Sequence, residues 1–382
     1  MLESALAPQR TRRLLVTGGA GFIGGNFVQH WVERHPHDTL VVLDALTYAG
    51  NLATIQPLVD RGAVAFVHGD ITDAALVSAL LADRGIDTIV HFAAESHVDR
   101  SIADPGAFVH TNIVGTLTLL MAARAAWCRD GHWTSGVRFH HVSTDEVFGS
   151  LAPNEAPFCE TTPYAPNSPY AASKAGADHL VRAWMHTYGL PATISNCSNN
   201  YGPFHFPEKL IPLLIVNALH GKPLPVYGDG QQVRDWLYVT DHCRAIDLIL
   251  ARGEEGRTYT VGGRAEHANL DIVHLVCSLI DARFADDPAL TQRYPDCPAA
   301  RGAPCRSLVS HVTDRAGHDR RYAIDPTRIA AELGFEPLET LATGLSRTVD
   351  WYLANEAWWR AVMDGSYRDW ISRQYGDRAA VT

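Results

Sequence analysis

Lysine is nearly absent from this chain: only Lys174, Lys209 and Lys222 occur among 32 basic residues, and the rest are arginine. A lysine inside a motif therefore carries unusual weight. Basic charge as a whole is also short, since 42 acidic residues leave a formal net charge of −10. With no broad cationic face to neutralise phosphates or an anionic bilayer, the composition argues against a nucleic-acid or membrane-surface binder. Any anionic ligand must meet a local basic pocket. Cysteine is scarce and unpatterned: there are seven, and the closest pair, Cys297 and Cys305, sits in a Pro-rich stretch without zinc-ligand spacing. No metal is expected, and free thiols suit a reducing, cytoplasmic setting. The opening MLESALAPQRTRR lacks the apolar centre of a signal peptide, and no window reads as the roughly 18 apolar residues of a spanning helix.

What is present is ample apolar material, 46% of 382 residues, broken into short runs by turn residues. Leu14–Thr17, Leu40–Asp44, Val64–His68, Thr88–Ala93, Phe139–Ser143 and Thr193–Cys197 read as strands with helical-period stretches between them. That alternation predicts an α/β fold with a doubly wound parallel sheet, the Rossmann arrangement, over residues 1–200. Beyond Tyr201 the texture turns Pro-rich and irregular and ends in Trp351, Trp358, Trp359 and Trp370. Residues 201–382 are expected to form a smaller mixed α/β substrate domain, with room for segments that return to the first. The Pro, Ala and Arg-rich stretch Asp286–Ser307 reads as a mobile loop.

The first strand runs into Gly18-Gly19-Ala20-Gly21-Phe22-Ile23-Gly24, a turn that opens a helix near Phe22. Glycines there let backbone approach a pyrophosphate, and the helix N-terminus offers free N–H groups and partial positive charge. A Gly-rich turn alone is a weak signal, but Asp44 follows Gly24 by 20 residues at the end of the next strand. A carboxylate so placed accepts from an adenosine ribose hydroxyl and repels a 2′-phosphate, so NAD is expected rather than NADP. The plain alternative is a strand-end turn residue. Topology adds Asp70 and Ile71 after the third strand, and Ala93 and Ala94 after the fourth.

Tyr170-Ala171-Ala172-Ser173-Lys174 puts a phenol and an ammonium four residues apart, on one helix face. A tyrosine acting as base near neutral pH must drop about 3 units, roughly 4 kcal/mol of phenolate stabilisation, which a lysine and a nicotinamide charge can supply. Ser143-Thr144-Asp145-Glu146 follows the fifth strand. Its spacing also fits a capping box, but Gly149 and Pro153 leave room for one turn only. Two adjacent carboxyls at a strand end can divide into an acid and a base.

Taken together, GGAGFIG, AAESHVDRS, STDEVFG, YAASK, NCSNNYGPFHFPEKLIP, RDWLYV and DRAGHDRRYAID resemble the dTDP-glucose 4,6-dehydratase family of extended short-chain dehydrogenases/reductases over nearly the whole chain. The resemblance implies that Tyr170 takes the 4-hydroxyl proton as hydride leaves carbon 4 for NAD, with Lys174 holding the cofactor ribose and tuning Tyr170, both residues standing at the cofactor, and Thr144 bonding the reacting oxygen. Glu146 would then be the base at carbon 5 and neutral Asp145 the acid that expels the 6-hydroxyl. It further implies Thr111 and Asn200 beside the cofactor. Ser96, Asn199, Lys209, Leu210, Pro225, Tyr227, Arg234, Asn269, Arg315, His318 and Tyr367 would contact the nucleotide sugar, with Arg234 and Arg315 as planar donors to its diphosphate. Phe148, Ala45 and Ala316 depart from the family pattern without removing a proposed catalytic group.

The resemblance also implies a homodimer, and the apolar faces of the helices flanking Thr111–Ala126 and Tyr170–Tyr188 suggest that these pair across its two-fold axis. Rival readings are a 4-epimerase, a dehydratase of a UDP- or GDP-linked sugar, and a silent NAD-binding protein. Adjacent Asp145 and Glu146 argue against the epimerase.

Overall fold

The structure is a computed structural model that describes residues 10–314 and 317–363. β1 (Arg13–Thr17), β2 (Thr39–Asp44), β3 (Ala65–His68), β4 (Thr88–His91), β5 (Arg138–Thr144), β6 (Ala192–Cys197) and β7 (Thr258–Val261) form one sheet in the order β7-β6-β5-β4-β1-β2-β3. Every pairing in it is parallel. Alternation along a strand sends neighbouring side chains to opposite faces. Leu14 and Val16 of β1 therefore enter a core with Phe27 and Trp31, while Leu15 enters another with Leu119, Leu120 and Val181. With both faces covered, the strands can be continuously apolar, which is why they are legible as runs.

The covering helices include α1 (Phe22–Arg34), α2 (Ala74–Asp83), α3 (Thr116–Trp127), α4 (Pro169–Tyr188) and α5 (Val239–Arg252). α4 starts and stops on local signals. Ser168 caps it by accepting from Ala171 N at 3.1 Å, Pro169 takes the first turn, and Gly189 ends it with φ 68°. α1 has the opposite character: Gly21 stands at its N-cap with no side-chain cap, so its first N–H groups are left for a ligand.

Three expectations need correction. β4 stops at His91, not Ala93, because Phe92 N bonds Thr17 O and Ala93 N then turns to the Thr17 hydroxyl, carrying the chain out of the sheet. Asp286–Ser307 is a packed segment, not a mobile loop. The helix Asn269–Asp286 runs into it, Ala289–Arg293 adds a short helix, and its few apolar residues, Leu290, Tyr294, Cys297 and Cys305, all turn inward. Finally, Pro105–Trp127 is long and apolar enough, by length and composition, to cross a membrane. In this fold its α3 portion packs on α2 and α4, with Leu119, Leu120 and Ala123 in the core.

Beyond residue 200 the chain does not stay apart. α5 packs on α1, and β7 joins the edge of the main sheet beside β6. The remainder builds a second lobe on two small sheets. Leu224–Tyr227 pairs in parallel with Val309–Val312, and Val233–Tyr238 lies between Glu266–Ala268 and Asn199–Tyr201. Its core gathers Tyr201, Leu214, Ile215, Trp236, Ile280, Tyr352 and Trp359.

Candidate active site

β1 and β4 are adjacent strands whose chains cross over to opposite sides of the sheet, and ligands of such sheets collect beyond the carboxyl ends at that point. A cleft opens there. Gly18 leaves β1 with φ +70°, and a Cβ on it would lie 2.6 Å from Ala93 N. A Cβ on Gly24 would lie 2.2 Å from Gly18 O. Only glycine lets β1, β4 and α1 converge so closely. Gly21 meets nothing nearer than 3.3 Å and lines the cleft, so a ligand can reach its backbone.

Asp44, at the end of β2, is aimed by two backbone donors: Ala20 N to Oδ2 at 2.9 Å and Leu46 N to Oδ1 at 2.8 Å. Burial pushes its carboxyl up, and those two bonds oppose the shift. Around the same cleft stand Gly18, Phe22, Ile23, Gly24, Asp70, Ile71, Ala93, Ala94, Thr111 and Asn200, every remaining residue expected at the cofactor. Ala45 lines it as well.

The catalytic candidates close the far end. Thr144 ends β5 and caps a single 3-10 turn, Asp145–Phe148, by accepting from Glu146 N at 3.3 Å. The cap thus falls one residue after the Ser143 that the sequence offered. Gly149 stops the turn with φ +91°, where a Cβ would meet Ala165 O at 2.4 Å. Phe148 is buried on Phe158, 5.1 Å between ring centres.

Thr144 is the hub of this turn. Its hydroxyl donates to Asp145 Oδ1 at 3.2 Å, and it is the neighbour that pulls the Tyr170 phenol down. Burial, followed by the charges of Glu146 and Asp235, pushes the Asp145 carboxyl well above the usual range, against the pull of Arg234 and Thr144. Burial thus favours the protonated form of Asp145, and its Oδ2 is buried with no hydrogen-bond partner among the described residues. Such an atom suits a donor aimed at a ligand oxygen.

Tyr170 is pushed well above its ordinary value by burial and then by Glu146 and Cys197, with the Thr144 bond opposing. The depression expected for it from the sequence is not supplied by these neighbours. Lys174 Nζ donates to Val142 O at 2.8 Å; burial lowers its ammonium and Asp178 raises it.

Of the expected substrate contacts, Ser96, Thr144, Asn199, Lys209 and Leu210 line this cleft, and Lys209 Nζ donates to Ser96 O at 3.3 Å. Pro225, Tyr227, Arg234, Asn269 and His318 do not line it and belong to the second lobe. The Tyr227 ring meets His318 edge-on, and His318 Nδ1 lies 2.6 Å from Asp314 Oδ1. The Arg234 guanidinium spends donors on the carbonyls of Val233 and Asp319 and lies over the Tyr322 ring at 4.2 Å. Arg315 and Tyr367 fall outside the described residues, as does Ala316.

Sequence reasoning missed three neighbours. Tyr322 lies within the electrostatic reach of Glu146, Glu208 anchors Arg100 at 3.2 Å, and His205 stacks on Phe22 at 4.1 Å in the cradle. Tyr322 and Glu208 sat inside quoted motifs, and nothing in spacing alone separates them from packing residues. Among the described residues no group of three or more His, Cys, Asp or Glu side chains is arranged to hold a metal ion.

Fold and cleft define an enzyme class, the NAD-dependent nucleotide-sugar dehydratases and epimerases on a Rossmann sheet. Residues 15–348 match the family model described as GDP-mannose 4,6 dehydratase. A dTDP-glucose 4,6-dehydratase from Xanthomonas campestris is 56% identical, over 93% of this chain and 97% of that protein. The crystal structure of a dTDP-glucose 4,6-dehydratase from Streptomyces venezuelae, with NAD bound, superposes with a TM-score of 0.79 at 47% identity, covering 92% of this chain and 99% of that one. A Thermus thermophilus UDP-glucose 4-epimerase, also in complex with NAD, matches at TM-score 0.74 and 28% identity over 90% of this chain and 99% of its own. The fold is thus shared by epimerases, while the higher identities lie with the dehydratases. The chain belongs to the GDP-mannose 4,6 dehydratase family and, within it, to the dTDP-glucose 4,6-dehydratases.

Proposed function

We propose that the protein dehydrates dTDP-glucose to dTDP-4-keto-6-deoxyglucose, with the redox change contained in bound NAD. The observation that carries this reading is the pairing of Asp145, a buried carboxyl with one oxygen unpartnered among the described residues, with the adjacent Glu146 at the end of β5, beside Tyr170 and Lys174. An epimerase needs only the tyrosine and lysine.

The cleft fits NAD: Cβ atoms would fill the glycine cradle, α1 presents uncapped N–H groups, and a carboxylate stands at the end of β2. Gly18, Gly21, Phe22, Ile23 and Gly24 would hold the pyrophosphate, Asp44 the adenosine ribose, Asp70 and Ile71 the adenine, and Ala93, Ala94, Thr111, Lys174 and Asn200 the nicotinamide half. Bound NAD supplies the hydride acceptor for carbon 4, the donor for carbon 6, and a positive ring charge next to Tyr170.

Tyr170, lowered by that charge and held by Thr144, removes the proton of the 4-hydroxyl. The resulting 4-keto group acidifies the carbon 5 proton, which Glu146 takes. Asp145 gives its proton to the departing 6-hydroxyl, which leaves as water, and the proton held by Glu146 returns to carbon 5 as carbon 6 regains its hydride. Ser96, Asn199, Lys209 and Leu210 surround the sugar, and Pro225, Tyr227, Arg234, Asn269 and His318, with Arg315 and Tyr367, receive the nucleotide. In this reading residues 201–238 and 262–363 act as the nucleotide-sugar lobe.

Two coarser properties follow. Four of the six exposed large hydrophobics among the described residues, Ile102, Val109, Val114 and Met121, lie along 102–121, which supports a homodimer through that region. A monomer in sedimentation would remove it. Seven unpaired cysteines support a reducing, cytoplasmic compartment.

The test is to incubate the purified protein with dTDP-glucose and no added NAD, following product mass. Loss of one water supports the proposal. An unchanged substrate after NAD is supplied refers the question to UDP- and GDP-sugars.

A further inference from the structure

Beneath the catalytic residues lies a buried polar cluster that the reaction does not use. Asp178 follows Lys174 by one helical turn on α4, so the two share a face. Asp178 has no exposed surface. A carboxylate so enclosed is costly unless it is paired and hydrogen-bonded. Its Oδ2 accepts from Tyr164 OH at 2.7 Å and from Asn196 Nδ2 at 3.2 Å. His141 Nε2 lies 3.1 Å from Oδ1, and this neighbour, followed by Lys174, holds the Asp178 carboxyl below its usual range against the push of burial.

Burial and then Lys174 hold the His141 ring below its usual value, so it is neutral near pH 7 and is no counter-charge. Arg182, one further turn along α4, places its guanidinium on Tyr164 OH at 3.1 Å rather than on the carboxylate. The cation left for Asp178 is Lys174, whose Nζ is itself held to Val142 O of β5.

Asn196 makes the second link. The same Nδ2 that donates to Asp178 donates to Thr144 O at 3.0 Å, so the carboxylate is tied to the strand end from which Asp145 and Glu146 project. We propose that Asp178 is a positioning residue: the buried counter-charge that keeps Lys174 an ammonium and, through Asn196, the anchor of the Thr144–Asp145–Glu146 turn. One carboxylate thereby aligns the group that serves Tyr170 with the pair that expels water.

This inference rests on the roles proposed for Lys174 and Tyr170, but its test does not depend on turnover. The groups facing Lys174 are Tyr170 and Asp178 on its own helix, His141 on β5, His91 on β4 and Cys197 on β6. Because the chain has only three lysines, carbon-13 labelling at lysine Cε gives a spectrum in which each can be titrated. Asp178→Asn keeps the shape and removes the charge.

The expected result is a Lys174 midpoint lower by about one pH unit or more, since a buried ammonium without its partner releases its proton sooner. Lys209 and Lys222 should stay in place, and kcat should fall more than KM rises. A Lys174 midpoint unchanged within about 0.3 unit, a limit well under the one-unit effect of losing a close charge, overturns the proposal. If Asp178→Asn does not fold, the double variant Lys174→Met with Asp178→Asn decides, because it leaves no lone buried charge. Recovery of a cooperative thermal transition supports the pairing, and a double variant as unfolded as the single contradicts it.

Discussion

At the residue scale, Thr144, Asp145, Glu146 and Tyr170 act as one unit joined by the Thr144 hydroxyl. Tyr170→Phe keeps the ring and loses the base, so product formation should fall by about 100- to 10,000-fold, the range typical of a lost acid–base group. Retained NAD in the purified variant would show that the loss is chemical. Asp145 gives a pH prediction with a definite sign. Its carboxyl is raised by burial, and the acid role proposed for it needs the protonated form, so kcat should be present below its midpoint and decline as pH rises through it. Asp145→Asn should lower kcat and remove that decline, and a variant that keeps the wild-type alkaline profile would reassign the acid.

These residues were legible because chemistry constrains their spacing: a tyrosine and lysine one turn apart, two carboxyls after a strand, glycines before a helix. Tyr322, Glu208 and His205 were not, since their contacts with Glu146, Arg100 and Phe22 are tertiary ones that no local spacing encodes.

At the element scale, two turns carry the site and each has a weak point. The cradle depends on Gly24, where a Cβ would sit 2.2 Å from Gly18 O. Gly24→Ala should push α1 off β1 and release NAD during purification, read from the absorbance of bound cofactor. Full cofactor content would mean that the turn tolerates the shift. α4 depends on Ser168, and Ser168→Ala should cost about 1 kcal/mol of stability, the usual value of a side-chain cap. Chemical denaturation measures that directly.

Sequence boundaries held for β1, β2, β3, β5 and β6 to within two residues, because turn residues bracket each run, and β1 and β2 are also apolar and buried along nearly their whole length. β4 was overread by two residues because the apolar Phe92-Ala93 leaves the sheet to line the cleft. β7 lies in the part of the chain read as the second domain and is defined by its pairing with β6. The Asp286–Ser307 segment misled for a related reason. Its composition is that of a loop, and the order comes from Leu290, Tyr294, Cys297 and Cys305, which turn inward without a regular period.

At the scale of the whole molecule, a row of histidines crosses the interior of the sheet. His140 is buried between the hydroxyls of Thr193 at 2.9 Å and Ser195 at 3.1 Å, and burial, with the neighbouring His141, His242 and Arg138, holds it well below its ordinary value. The ring stays neutral in the fold, whereas the unfolded chain takes up a proton below pH ~6.5. Stability is therefore lost as pH falls through that value, by up to about 1.4 kcal/mol per pH unit for each such ring. His140→Gln should make the melting temperature less dependent on pH between neutrality and mild acid. A slope equal to wild type would show that His140 is protonated in the fold.

The acidic surface and the local basic groups of the cleft fit an enzyme that draws its anionic substrate into one pocket. The central claim is that the hydrogen removed from carbon 4 is the one returned to carbon 6. The most direct measurement uses dTDP-glucose deuterated at carbon 4, with product analysed by mass spectrometry and NMR. The account predicts a product one water lighter with the deuterium in its new methyl group. Deuterium lost to solvent, or kept at carbon 4 of an epimerised sugar, would contradict it.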